Sequence, residues 1–221
     1  MQKFATPTAI TTVLDIPAGR IQLIAADRTD TTVEIRPANP DKNRDTKAAQ
    51  QIQTHYDDGT LHITAPEPQN QYFGPTGAVE ITVQLPTGST ARINGSAVEL
   101  RTVGRLGDLT ATGLHHHTKI DEAATTHLTA TDGDIAIGRL TGPATLTTAR
   151  GDITITEAHT GALTLTTQMG DISLTATTGA SAALSAKTGH GRITNALKND
   201  GTTTLDITAT THHGDITALS R

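Results

Sequence analysis

Residues 126–175 contain one short phrase three times: T-H-L-T-A-T-D-G-D-I-A-I, then A-T-L-T-T-A-R-G-D-I-T-I, then L-T-L-T-T-Q-M-G-D-I-S-L. In each copy an alternating run of apolar residues and Thr leads to a Gly-Asp pair, and Ile-x-Ile or Ile-x-Leu follows. The glycines of the pairs are Gly133, Gly151 and Gly170, at intervals of 18 and 19 residues. Self-similarity at such a fixed period is typical of repeat architectures.

The series extends in both directions from these copies. Downstream, Gly191 and Gly214 follow at intervals of 21 and 23 residues. Upstream, counting back 17 residues from Gly133 leads to His116, the centre of a run of three histidines that replaces the usual corner. The repeats therefore predict coils of about 17–23 residues. The predicted structural corners are Gly133, Asp134, Gly151, Asp152, Gly170, Asp171, Gly191, Gly214 and Asp215.

This pattern predicts an all-β fold, a single-stranded β-helix or β-solenoid. Strands of neighbouring coils would pair about 4.8 Å apart, so that equivalent residues stack in columns. Glycine supplies the positive φ that a tight corner requires, and the Asp beside it can accept hydrogen bonds from backbone N–H groups. The isoleucine that follows each corner would form the main apolar column of the core.

The composition favours a narrow core. Apolar residues make up 35% of the chain and aromatic residues only 2%. A compact sandwich of this size would normally fill its centre with aromatic side chains, whereas a solenoid core is only one or two side chains wide. Abundant Thr agrees with this because β-branched side chains pack well on a pleated surface. We predict one solenoid domain over residues 1–221.

Residues 1–90 are less regular, and we expect them to form the first coils and a cap at one end. Three strands are predicted within residues 8–36. Asn39 as N-cap and Pro40 as first helical residue then predict a short surface helix over residues 40–53. A loop rich in Pro, Gly and Gln is predicted for residues 66–77. The regular repeats cover residues 91–221, and we expect residues 202–220 to close the opposite end.

Charge and cysteine usage exclude several classes of function. The net charge is −5 and no run of Lys or Arg occurs, which argues against a nucleic-acid surface because such surfaces need clustered basic residues. The chain has no cysteine, so it has neither a disulfide framework nor a thiolate metal site. The sequence shows no signal peptide and no apolar run long enough to insert into a membrane. The expected location is the cytoplasm.

The recurrence of G-D-I-x-I with L-x-T-T between the copies resembles the DUF4097 family of β-strand-repeat proteins, which are often labelled "putative adhesins". The segments L-D-I-P-A-G-R-I-Q-L, V-Q-L-P-T-G-S-T and T-H-H-G-D-I-T resemble the actinobacterial branch of that family. The likeness covers nearly the whole chain. It implies a single-stranded, β-helix-like solenoid, and it implies no particular activity.

The corner aspartates Asp134, Asp152, Asp171 and Asp215 would form a column if the coils stack in register. Carboxylates about 5–6 Å apart repel by only about 1 kcal/mol in water, so the column needs no bound ion. The alternatives are a Ca²⁺ site or the carboxylate cluster of a lyase or hydrolase. Calcium-binding repeats supply several oxygens per ion on every turn, whereas each corner here supplies one Asp. We interpret the four residues as structural caps and predict no cofactor.

A second candidate site combines histidines with aspartates. His115 and His117 project to one side of a strand, one coil away from Asp132 and Asp134. Imidazole and carboxylate ligands suit Zn²⁺ or Ni²⁺, which makes these four residues a candidate metal site. Their spacing matches no known metal-binding motif. The preferred interpretation is therefore solvated polar residues on an outer face, with no metal site.

Motifs of catalytic machinery are absent, since the sequence contains no G-x-S-x-G, H-E-x-x-H, P-loop or G-x-G-x-x-G. The sequence therefore predicts a non-enzymatic scaffold that binds an unidentified protein partner. Exposed coil ends could also pair end to end to give a homodimer. The alternatives are an exported adhesin-like or glycan-binding surface protein and a β-helix enzyme that acts on polysaccharide through the Asp column.

Overall fold

The computed structural model describes residues 1–66 and 77–221, and over these ranges it is a β-solenoid with one short helix. The predicted all-β class and coiled architecture are confirmed. The chain divides into two compact units, Met1–Gly113 and Leu114–Arg221, and the single domain over residues 1–221 stays a prediction. The loop predicted for residues 66–77 falls on residues 67–76, which lie outside the described residues.

The first unit is built from parallel ladders of short strands. Its strands are β1 (Gln2–Ala5), β2 (Thr11–Asp15), β3 (Ala18–Ala26), β4 (Asp30–Pro37), β5 (Gln53–Asp57), β6 (Thr60–Thr64), β7 (Val79–Pro86), β8 (Thr90–Val103) and the first part of β9 (Arg105–Asp132). β2 pairs in parallel with β6 and β8, and β3 pairs in parallel with β7 and β8. The coil of β2 and β3 therefore lies between the coil of β6 and β7 and the coil formed by β8.

Antiparallel strands close these ladders at the coil of β6 and β7. β5 pairs antiparallel with β6, and β4 pairs antiparallel with β7 and also with β1. The three strands predicted within residues 8–36 are β2, β3 and β4, and the predicted cap corresponds to β4, β5 and β1. β1 itself was not predicted from the sequence, because its four residues, Q-K-F-A, are too few to show an alternation of apolar and polar residues.

The helix α1 (Asn43–Gln51) is shorter than the predicted range of residues 40–53, and it begins later. Asn39 does not cap it, because its side-chain oxygen accepts the N–H two residues later at 2.9 Å and forms a separate turn. Lys42 is the N-cap and makes no side-chain capping bond. The buried residue of α1 is Asp45, whose carboxylate accepts the N–H of Ala78 at 3.1 Å. This bond ties the helix to the residue before β7.

The second unit contains the regular repeats. Its strands are the last part of β9, β10 (Ile135–Leu140), β11 (Ala144–Arg150), β12 (Ile153–Ala158), β13 (Gly161–Met169), β14 (Ile172–Ala176), β15 (Ala182–His190), β16 (Ile193–Ala196), β17 (Leu205–His213) and β18 (Ile216–Ser220). Each coil has one strand before its corner and one after it, and we name the coils by their corner residues. Thus β13 and β14 form the Gly170 coil, β15 and β16 the Gly191 coil, and β17 and β18 the Gly214 coil.

The coils of the second unit do not follow chain order. Before the corner, the parallel ladder runs β9, β11, β13, β17, β15. After the corner it runs β9, β10, β12, β14, β18, β16. The Gly214 coil therefore lies between the Gly170 and Gly191 coils. The expectation that residues 202–220 close this end is wrong, because the Gly191 coil is the outermost one.

The predicted isoleucine column forms the centre of the second unit's core. Ile153, Ile172 and Ile216 stack in register after their corners and are fully buried. The column ends at Ile193, which is 46% exposed because its coil is the last in the ladder. The core is thus built from columns of aliphatic side chains from successive coils, and aromatic residues are not needed to fill it.

Candidate functional site

The corners of the second unit bring the predicted corner residues into columns. The corner glycines have φ values of +116° to +155°, a range that other residues rarely adopt. Space is also restricted, since a Cβ on Gly170 would lie 2.1 Å from the carbonyl oxygen of Gly151. His116 forms the corresponding corner of its own coil with φ of +65°.

Each corner aspartate accepts a hydrogen bond from the next coil in space. The Oδ1 atom of Asp134 accepts the N–H of Asp152 at 2.9 Å, and that of Asp152 accepts the N–H of Asp171 at 2.8 Å. Asp171 accepts from Asp215 at 2.7 Å, and Asp215 from Arg192 at 2.8 Å. The column is therefore a chain of side-chain to backbone bonds that links the five coils from the Gly133 coil to the Gly191 coil.

Buried threonines link the same corners in the opposite direction. At four of the five corners a Thr three residues before the glycine donates its hydroxyl to the corner-glycine carbonyl of the preceding coil in space, whereas Gly133 has Ala130 at that position. The donors, with their distances, are Thr148 (3.3 Å), Thr167 (3.0 Å), Thr211 (3.0 Å) and Thr188 (2.9 Å). Our sequence analysis missed this column, although a Thr at a constant distance before the glycine was the available signal. Together the Asp and Thr columns satisfy the backbone polar groups of the corners.

Basic side chains stand at both ends of the Asp column. His117 places Nδ1 3.2 Å from Oδ2 of Asp134, and both side chains are largely exposed. At the other end the guanidinium of Arg192 lies 3.5 Å from Oδ2 of Asp215. Arg192 occupies the corner-Asp position of the outermost coil, and beyond it no coil of the described residues offers an N–H for a carboxylate to accept.

The structure does not bring the four candidate metal ligands together. His117 meets Asp134, but Asp132 pairs with the guanidinium of Arg150 at 2.8 Å. The ring of His115 packs edge-on against the neighbouring His116 ring, with centroids 4.3 Å apart. Over residues 1–66 and 77–221 no group of three or more His, Asp or Glu side chains is placed to hold a metal ion.

A shallow groove of about 440 Å³ crosses the coils just before their corners. The groove is lined by Thr131, Ala149, Arg150, Gln168, Met169, His212 and His213. Met169 is 55% exposed within it, and the rings of His213 and His190 stack at 4.8 Å with an interplanar angle of 10°. None of these residues was predicted as a site, because each differs from its equivalent in the neighbouring coil.

Beyond the corners, the outer faces carry ordered polar and charged columns. On the strands before the corner, outward threonines stack in register; they are Thr129, Thr147, Thr166 and Thr210. On the opposite face Arg139 donates to Glu157 at 2.7 Å. That hydrogen bond lowers the pKa of the Glu157 carboxyl and raises the pKa of the Arg139 guanidinium. The outer surface is thus a set of regular, solvated ladders.

Comparison with known families now identifies this arrangement. A family model described as Toastrack DUF4097 matches residues 14–220. The chain belongs to this family. The match covers both units of the Toastrack chain and nearly all of its strands. The resemblance noted from the Gly-Asp-Ile repeats is therefore confirmed. No curated protein matches the chain.

The solved structures matched to the chain share little sequence with it. One from Bacteroides fragilis, described as "a putative adhesin", is 16% identical, with a TM-score of 0.49 over 99% of this chain and 95% of that one. Another from Parabacteroides distasonis, described as "putative adhesin", is 12% identical, with a TM-score of 0.46 over 97% and 94%. A "putative lipid binding protein" from Parabacteroides distasonis is 9% identical, with a TM-score of 0.29 over 100% and 94%. The family match alone carries the identification.

The only helix within the described ranges, α1, has nine residues. None of the described helical structure is long and apolar enough to cross a membrane.

Proposed function

We propose that this Toastrack chain is a non-enzymatic scaffold that binds a protein partner. The observation that carries the proposal is the hydrogen bonding of the corner aspartates. These four residues are the strongest catalytic or ion-binding candidates in the sequence, yet every one of their Oδ1 atoms accepts a backbone N–H of the adjacent coil. A carboxylate held in this way stabilises the ladder, and this structural role accounts for the recurrence of Asp at four of the five corners.

The outer faces support a binding role. Successive coils repeat the same short polar side chains at the spacing of paired strands, as in the column that contains Thr147 and Thr166. Repeat architectures commonly use such extended surfaces for binding. The proposed location is the cytoplasm, and fractionation of cells that express a tagged chain would test it.

The test is an affinity capture of the tagged chain from lysate of its own organism, followed by mass spectrometry. We expect a single protein recovered near stoichiometry and retained through washes at raised salt. Recovery of envelope material or glycan alone would contradict the scaffold and favour the adhesin-like, surface-binding alternative. A variant with Asp152→Asn and Asp171→Asn is the matched control, because binding should persist if these residues only support the fold.

A further inference from the structure

The outermost coil of the second unit leaves the end of the core open. Ile193 continues the buried isoleucine column but is 46% exposed. Leu184 and Ala186 are also partly exposed, although Leu165 at the equivalent position of Ala186 is completely buried. Among the described residues, β15 pairs only with β17 and β16 only with β18. We call the outer side of β15 and β16 the open edge.

The open edge presents backbone groups as well as apolar side chains. The carbonyl of Ser181 faces β17 and accepts an N–H from it at 3.1 Å, whereas the N–H of Ala182 donates to the carbonyl of Lys198 at 2.9 Å. Backbone groups of successive strand residues point alternately to the two sides of a strand. Those of Leu184 and Ala186 therefore point away from β17. A row of this kind is a template for an additional strand.

The charged side chains carried by the open edge itself are basic. β15, β16 and the corner between them contain Lys187 and Arg192 but no Asp or Glu, although the chain as a whole has a net charge of −5. Lys187 ends the outward threonine column, and Arg192 ends the aspartate column with its side chain 88% exposed. Two acidic groups lie beside the edge: Asp215 is 3.5 Å from Arg192, and Asp206 on β17 is in register with Ala183. The basic charge of the edge is therefore concentrated at Lys187 and Arg192. The positive electrostatic potential of these side chains attracts an acidic partner. It disfavours a second copy of the chain, since the open edge of that copy would be equally basic.

We propose that the open edge binds an extended, acidic segment of another protein by strand addition. The added strand would pair with the outward backbone groups of Leu184 and Ala186, with alternate apolar side chains over these two residues. It would begin after Ala182, whose N–H and C=O already bond the loop that follows β16. Its intervening acidic side chains would face Lys187 and the neighbouring Arg192. Main-chain pairing supplies affinity in this mode and side chains on alternate positions supply specificity. The inference rests on the proposed scaffold function and names the site and the chemistry of its partner.

The first test measures binding of a defined probe by fluorescence anisotropy. The probe is a fluorescein-labelled peptide of alternating Glu and Val with nine residues, the length of β15. A peptide of alternating Lys and Val is the control. We expect the Glu-Val peptide to bind, more weakly as salt is raised, and the Lys-Val peptide not to bind. Equal binding of both peptides, or no binding of the Glu-Val peptide, would overturn the proposal.

Edge variants then locate the bound peptide. Lys187→Glu should weaken binding of the Glu-Val peptide about tenfold or more, the effect of losing roughly 1.4 kcal/mol. Ala186→Pro removes an N–H that faces the open side, a position at which an edge strand tolerates proline. It should abolish binding with the circular dichroism spectrum retained. Lys119→Glu makes the same charge change at an exposed position on β9 and should leave affinity unchanged. If Ala186→Pro does not fold, the affinity of Lys187→Glu for the Glu-Val peptide tests the binding site by itself.

Two further outcomes separate this inference from the scaffold function. If a protein partner is captured from lysate equally well by wild type and by Lys187→Glu, the scaffold stands and the open edge is not its binding site. If no protein is captured at all, the scaffold function itself fails. Sedimentation velocity tests the remaining occupant, because a wild-type dimer that Ala186→Pro converts to a monomer would assign the edge to a second copy and overturn the proposal.

Discussion

The parallel ladders of the two units end in different ways. In the first unit, the coil of β6 and β7 is covered by the antiparallel strands β5 and β4, and its inward residues Leu61 and Ile63 are fully buried. In the second unit, no described strand pairs with the outer side of β15 and β16, and Ile193 is half exposed. An inward aliphatic residue of an end coil is therefore buried in the first unit and exposed in the second. Burial in a solenoid depends on which coil lies next, and the repeat phrase alone does not specify it.

The largest expected effect comes from truncating the isoleucine column at two points. Ile172→Ala leaves a cavity between two coils and should lower the free energy of unfolding by about 4 kcal/mol. Ile193→Ala removes a side chain that already contacts water and should cost less than about 1 kcal/mol. Urea unfolding followed by circular dichroism measures both. Similar losses at the two positions would show that the Gly191 coil is covered in solution.

The identity and period of the coils could be predicted from the sequence, because identical residues recur at the corners. The order of the coils in space could not, because intervals of 21 and 23 residues are compatible with either order. Arg192 was the available signal for the outermost coil. It replaces the corner Asp where no neighbouring N–H needs an acceptor, while Asp215 retains the usual residue because it accepts from Arg192. The replacement of Asp by Arg192 could be interpreted only once the structure showed that each corner aspartate accepts an N–H from the next coil.

Substitution of a corner glycine should cause the next largest loss in the free energy of unfolding. Gly170→Ala must place Cβ 2.1 Å from a neighbouring carbonyl oxygen at φ of +144°, so we expect a loss of about 3 kcal/mol. Gly179 also has a positive φ of +85°, but a Cβ there would meet no atom within 4 Å. Gly179→Ala is therefore the matched control, with an expected loss of about 1 kcal/mol from backbone strain alone. Equal losses would mean that contact between coils adds nothing at the corner.

Substitutions in the aspartate column should lower the free energy of unfolding by less, and the loss should depend on the position of the coil in the ladder. Asp171→Ala leaves the N–H of Asp215 without its acceptor and should cost about 1–2 kcal/mol. Asp171→Asn keeps an acceptor oxygen and should cost about half as much. Arg192→Ala removes a side chain beyond which no described coil follows, and its effect should lie within about 0.5 kcal/mol. Thermal unfolding of the three variants ranks them. A severe loss from Arg192→Ala would contradict the open end.

The cap of the first unit illustrates what sequence patterns do not predict. The strands β2, β3 and β4 alternate clearly and were predicted, whereas β1 has too few residues for a periodic signal. The start of α1 was predicted three residues too early because Asn39 and Pro40 satisfy the rules for a helix start. The side chain of Asn39 instead forms a local turn. Local capping rules cannot distinguish these two uses of the same residue.

The smallest expected effect concerns acid stability at this cap. Hydrogen bonds from the Arg28 guanidinium and the Lys3 ammonium, both at 3.0 Å, lower the pKa of Asp30 from 3.8 to about 2. Because the folded pKa is the lower one, Asp30 contributes stability above pH 4, and the contribution disappears as pH falls from about 4 to about 2. We expect Asp30→Asn to be slightly less stable than wild type at pH 7 and equally stable near pH 2. Urea midpoints of the two proteins across this range measure the difference. A gap that stays constant down to pH 2 would mean that the ion pairs of Asp30 do not hold β1 against β4.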